Sequence, residues 1–157
     1  AVAAGAEVLC GGGPPADADA ASTDRTPGTG YYVAPTILSG VKEGDEAWEQ
    51  EIFGPVLCVM KFEDEAEAVG LANRSQYGLA AAVMSADKTR TERVARALRA
   101  GIVWQNCSQP AFVQAPWGGF KRSGFGRELG KWALDEFMGL KQITSCAPAY
   151  SFEWYGS

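Results

Sequence analysis

Four cysteines and no histidine limit the chemistry that this 157-residue chain can perform. Without an imidazole, neither a Cys–His nor a Ser–His pair can be assembled from its own side chains. Cys10, Cys58, Cys107 and Cys146 are widely spaced and include no C-x-x-C pair, so no zinc site is expected. Reduced thiols are the simplest reading, and they suit a cytosol-like compartment. No basic residue lies within several positions of Cys107, so nothing beside it marks an activated nucleophile. It reads as a structural cysteine.

Three other stretches carry residue types suited to binding. Glu51 and Phe53, taken alone, are an acidic residue and an aromatic entering a strand. Ala111, Phe112 and Trp117 sit among prolines and polar residues in the loop that begins at Asn106. An aromatic held in such a loop often faces a ligand, and for Phe112 a core role is an equal reading. The run from Trp117 to Gly130 is glycine-rich and can bring its backbone close to a ligand or another segment. Gly124-x-Gly126 looks like the start of a dinucleotide fingerprint, but the third glycine comes one position late, at Gly130. No strand runs directly into the motif. Close packing is the favoured role for Gly124 and Gly126.

The elements that must position these residues follow from periodicity. Residues 1–9 read as a helix end running into a short strand, and 11–30 as a long surface loop. An extended segment at 31–38 contains Pro35, which argues for a sheet edge. A short acidic helix is expected within 41–50, a strand at 56–62 and a helix at 64–74 capped by Asp64. A strand at 79–84 precedes a helix capped by Ser85 or Asp87 that runs to Arg99, with Gly101 as its C-cap glycine. Strands at 102–105 and 140–145 flank the loop at 106–125 and a helix at about 127–138. Strands alternating with helices define an α/β fold with parallel pairing. The length is enough for one domain with a core of its own.

The order of the motifs is more specific than any of them alone. Glu51-Ile52-Phe53-Gly54-Pro55-Val56 is followed by Trp117-Gly118-Gly119-Phe120-Lys121-Arg122-Ser123-Gly124-Phe125-Gly126-Arg127-Glu128-Leu129-Gly130. Together they resemble two signatures of the NAD(P)-dependent aldehyde dehydrogenases. The loop Trp104-Gln105-Asn106-Cys107-Ser108-Gln109-Pro110, followed by Gln114-Ala115-Pro116-Trp117, is similar to that of the plant-type aminoaldehyde and betaine aldehyde dehydrogenases. The matching is loose up to about Tyr31 and tight from Glu49 to Thr144.

The resemblance implies roles for particular residues. The Glu51 carboxylate would accept hydrogen bonds from the nicotinamide ribose hydroxyls of NAD, with Phe53 packed beside ribose and nicotinamide. Trp117 would contribute to an aromatic box around a cationic substrate, with Ala111 and Phe112 nearby. Ile102 would set substrate choice: an Ala there accompanies good use of betaine aldehyde, an Ile a preference for ω-aminoaldehydes. Lys121, Arg122 and Arg127 read as loop and helix-end charges. In the family a cysteine thiolate attacks the aldehyde, hydride passes to NAD and water releases the acid. The nucleophile, the general base and the dinucleotide-binding domain all lie upstream of Glu51 in family order, so none maps onto this chain.

The expected architecture is therefore the C-terminal part of the catalytic domain over 1–138, a parallel sheet with flanking helices, and an oligomerisation strand and tail over 139–157. The parent would be an aldehyde-oxidising enzyme that forms a dimer or tetramer, while the isolated chain would be inactive. The competing reading is a truncated, non-catalytic paralogue acting as an oligomerisation module. A stand-alone nucleotide-binding protein ranks last, because no phosphate loop is present. Net charge is −5 with a pI near 4.8, and no apolar run is long enough to span a bilayer, so nucleic acid and membrane are not expected partners. The first residue is not Met and the opening resembles a mid-helix, which reads as a start inside a longer protein. The cytoplasm is the expected compartment, with peroxisome and plastid open for the parent. The ending Tyr155-Gly156-Ser157 is not a peroxisomal tripeptide.

Overall fold

Among the described residues, short β-branched and apolar stretches build five strands in two sheets, and helices connect them. The computed structural model describes residues 1–15, 31–149 and 154. Most of the loop expected at 11–30 lies outside the described residues. A 3-10 turn at Val2–Ala4 leads into β1 (Glu7–Cys10), followed by β2 (Thr36–Ser39), α1 (Glu46–Glu49) and β3 (Val56–Val59). Then come α2 (Glu65–Arg74), β4 (Ala80–Val83), α3 (Lys88–Ala97), β5 (Ile102–Gln105), a 3-10 turn at Lys121–Ser123 and α4 (Trp132–Asp135).

The first sheet has the order β1-β2-β3, with β1 antiparallel and β3 parallel to the central β2. The edge position expected from Pro35 is thus corrected. Pro35 lies just before the strand, so its missing N–H removes nothing from the ladder, and Thr36 N donates to Pro55 O at 2.8 Å. The second sheet pairs β4 and β5 in parallel, Ala80 opposite Ile102 and Val83 opposite Gln105, with α3 as the crossover.

Side-chain caps fix the starts of both long helices. Asp64 accepts from Glu67 N at 2.8 Å to open α2. Asp87, rather than Ser85, caps α3, accepting from Thr89 N at 2.9 Å and Arg90 N at 3.1 Å. Arg93 of α3 donates twice to Glu65 of α2, at 2.7 Å each, in the forked geometry of a guanidinium on a carboxylate.

Three expected elements differ. The helix expected at 127–138 shrinks to Trp132–Asp135, because Glu128 is bridged to Trp117 and Gly130 is held in a left-handed turn at φ 60°. Gly101 does not cap α3, whose C-cap is Leu98. Its role is close approach: a Cβ on Gly101 would lie 1.8 Å from Gly118 O. The strand expected at 140–145 is not formed, and Leu140 and Ile143 are exposed. Among the described residues no strand pairs with this segment, and a lone strand leaves its backbone groups to water.

The interior is smaller than the chain length suggests. Among the described residues, the buried hydrophobic side chains are Ala6, Leu38 and Val41, flanked by half-buried Ala47, Trp48, Val56 and Cys58. On β3, Val56 and Cys58 turn towards this cluster while Leu57 and Val59 face outward and are exposed. No helix among the described residues is long and apolar enough to cross a membrane.

Candidate functional site

Glu51 and Phe53 lie on the connection between α1 and β3. Phe53 holds a left-handed backbone at φ 48° and leaves its ring 88% exposed. That conformation costs a non-glycine residue about 1–2 kcal/mol, an outlier of the kind found where a side chain is presented for a purpose. Glu51 is exposed and lines a cleft of about 370 Å³ together with Trp48, Asn73, Tyr77, Leu79 and Ser123. The cleft therefore has the α1 exit on one side and the glycine-rich segment on the other. An accessible carboxylate here retains two oxygens able to accept from vicinal hydroxyls.

The glycine-rich segment is fastened at several points. Trp117 and Glu128 exchange backbone bonds at 2.7 and 2.8 Å. Gly78 O accepts from both Gly101 N at 3.0 Å and Phe120 N at 2.8 Å, which brings this segment against the start of β5. Lys121 Nζ donates to Asn73 O and Ser75 O, at 2.9 Å each. Arg127 Nη1 donates to Gly119 O at 3.0 Å and to Gly126 O at 2.6 Å, and its guanidinium stands 5.2 Å from the Phe120 ring centre. Lys121 and Arg127 thus tie the loop together. Gly126 adopts φ 80°, and a Cβ there would lie 2.9 Å from the Glu136 carboxylate, in keeping with its expected packing role.

The substrate-loop residues are less tightly gathered. Trp117 is half-buried and meets Trp104 of β5, ring centres 6.3 Å apart and planes inclined by 52°. Trp104 Nε1 donates to Pro110 O at 3.2 Å, so one indole supports both Trp117 and the loop. Ile102 is half-buried at the start of β5, two residues before Trp104 and on the same strand face. Ala111 and Phe112 are exposed. Asn106, at φ 53°, accepts from Ser85 N at 2.8 Å and anchors the start of the loop. Cys107 is exposed beside it, and all four cysteines are free thiols. Trp104 was not among the expected site residues. Its signal was an indole alternating with Ile102 on a strand that runs into the loop.

The arrangement is an α/β layer in which Glu51 precedes one parallel strand and the loop bearing Trp117 follows another. Residues 1–143 match the aldehyde dehydrogenase family, and the chain belongs to it. It is 52% identical over 153 residues to peroxisomal aminoaldehyde dehydrogenase 2 of Malus domestica, covering 98% of this chain and 29% of that protein. It is 49% identical over 153 residues to the chloroplastic betaine aldehyde dehydrogenase of Atriplex hortensis, again covering 98% and 29%. Among solved structures it is similar to betaine aldehyde dehydrogenase of Staphylococcus aureus in complex with NAD+. The TM-score is 0.82 at 41% identity, covering 97% of this chain and 30% of that one. The chain thus spans under a third of the length of these relatives.

Proposed function

We propose that this chain serves as the C-terminal part of an NAD-dependent aldehyde dehydrogenase acting on aminoaldehydes, with betaine aldehyde as the poorer substrate. The observation that carries the reading is the pair Glu51 and Phe53, both exposed on one connection, Phe53 in a left-handed backbone and Glu51 at the lip of a cleft. Relatives at about half identity are aminoaldehyde and betaine aldehyde dehydrogenases, which supports the substrate class.

NAD fits the residues present. Glu51 would accept from the ribose hydroxyls, and Phe53 would restrain the neighbouring ring. When bound, NAD supplies the hydride acceptor. The chain's own contribution is to orient and to exclude water. Trp117, backed by Trp104, offers an aromatic face that attracts an ammonium group, and Ala111 and Phe112 line the approach once the loop is covered. Ile102, beside Trp104 on the same strand face, would restrict the room available to a trimethylammonium head. The nucleophile would come from outside this chain, so 1–138 completes a catalytic domain and 139–157 joins a neighbouring subunit of a dimer or tetramer. Four free thiols suit a reducing compartment such as the cytoplasm.

The test is enzymatic. The full-length protein carrying this chain should reduce NAD with 3-aminopropanal or 4-aminobutanal faster than with betaine aldehyde. Absence of aldehyde-dependent NADH formation from a folded full-length protein would favour the competing reading, a non-catalytic oligomerisation module.

A further inference from the structure

We propose that Gln76, braced by Arg122, is a positioning residue that sets the direction in which the chain leaves α1 towards Glu51; the inference rests on the cofactor role proposed for Glu51. Helix α1 is a single turn, and the last carbonyls of any helix lack an intrahelical partner. The carbonyl of its final residue, Glu49, accepts from Gln76 Nε2 at 2.7 Å. The other end of the same amide, Gln76 Oε1, accepts from Arg122 Nη1. A guanidinium only donates and a carbonyl only accepts, so a single orientation of the Gln76 amide satisfies both neighbours. Glutamine is the side chain that fits between such partners.

The bracing side is rigid. Arg122 N donates to Gln76 O at 3.1 Å, Gly78 N donates to Ser123 Oγ at 3.0 Å, and Lys121 spans to Asn73 O and Ser75 O. Residues 121–123 are therefore stitched along 73–78, and the Gln76 amide carries that rigidity across to α1. Glu51 follows the capped carbonyl by two residues and lines the cleft whose far side is Ser123. The strut fixes the width of that cleft. Misplacement of a binding group by about 1 Å is enough to lose productive geometry.

The experiment uses Gln76→Met, which keeps length and removes both bonds, and Arg122→Leu, at an exposed position. In the full-length enzyme, hydrogen–deuterium exchange should quicken at residues 50–53 in both variants and stay unchanged at Ile102–Gln105. In the full-length enzyme, calorimetry should show NAD affinity weakened by about three- to tenfold. KM for NAD should rise in parallel, with kcat at saturating NAD held, and the double variant should be no worse than Gln76→Met. Unchanged exchange at 50–53 overturns the proposal, as does a fall in kcat and melting temperature at constant KM. Glu51→Gln is the control. If it leaves NAD affinity intact, the cofactor role of Glu51 fails, while the exchange data still judge the strut.

Discussion

Trp104 of β5 and Trp117 of the glycine-rich segment meet ring to ring, 6.3 Å between centres and tilted by 52°. One indole belongs to a strand and the other to a glycine-rich loop, so the contact joins a rigid element to a shaped one. Tilted aromatic pairs contribute about 0.5–1.5 kcal/mol beyond area burial. Trp104→Leu in the full-length enzyme should raise KM for a cationic aldehyde while sparing a neutral one. Equal effects on both substrates would make the contact a packing feature only.

Ile102 shares a strand face with Trp104, so its bulk reaches the aromatic wall indirectly. Relief of overpacking by Ile102→Ala is worth about 1–3 kcal/mol for a substrate that was crowded. The expected outcome is a selective rise in kcat/KM for betaine aldehyde, read by steady-state kinetics against 3-aminopropanal. A wild type that already prefers betaine aldehyde would refute the substrate assignment.

Glu51→Gln should disturb NAD use more than stability. A charge-assisted hydrogen bond to a ribose hydroxyl is typically worth about 1.5–3 kcal/mol. Kinetics with varied NAD, run beside a thermal melt, separate the two effects. An unaltered cofactor constant would return Glu51 to the ordinary surface carboxylates.

The segment at 140–145 has alternating residues and no strand partner among the described residues. A segment whose backbone groups lack strand partners can dock onto the edge of another sheet. Ending the full-length protein after Gly139 should shift its mass in solution from oligomer towards monomer or aggregate, as light scattering would register. An intact oligomer would refute this.

Arg93 beside Glu65 holds that carboxyl below its ordinary value of 4.5, chiefly through the side-chain hydrogen bond. A lowered folded-state pKa means stability that is present above the unfolded pKa and lost as pH falls through the folded one. The tie between α2 and α3 should therefore weaken only in acid, below about pH 4.5. Glu65→Gln should flatten the acid limb of a stability-versus-pH curve without moving the neutral plateau far, because the pair is exposed.

Local signals were the easiest to read in the sequence. Asp64 and Asp87 announce their helices because an N-cap needs only a side-chain oxygen and the next turn. Ile102–Gln105 is bounded as expected, whereas the helix expected at 127–138 is not, since the backbone of Glu128 is committed to Trp117 across a distance no periodicity records. Gly101 misled for the same reason: its smallness serves the approach of Gly118, not the end of α3. Glu51 and Phe53 became candidates through the order of the surrounding motifs. Trp104 and Gln76 stayed hidden because their importance lies in which distant groups they touch.

Among the described residues, hydrophobic burial is confined to Ala6, Leu38 and Val41 while Phe125, Phe137 and Leu134 are turned to solvent, which has a consequence for how this segment comes to be folded. Cooperativity needs a shared interior, and here little is shared within the chain. Such a segment should open early under hydrogen exchange and be nicked readily by protease until other polypeptide covers it. Left uncovered, its exposed apolar side chains should favour aggregation or degradation over a stable folded state.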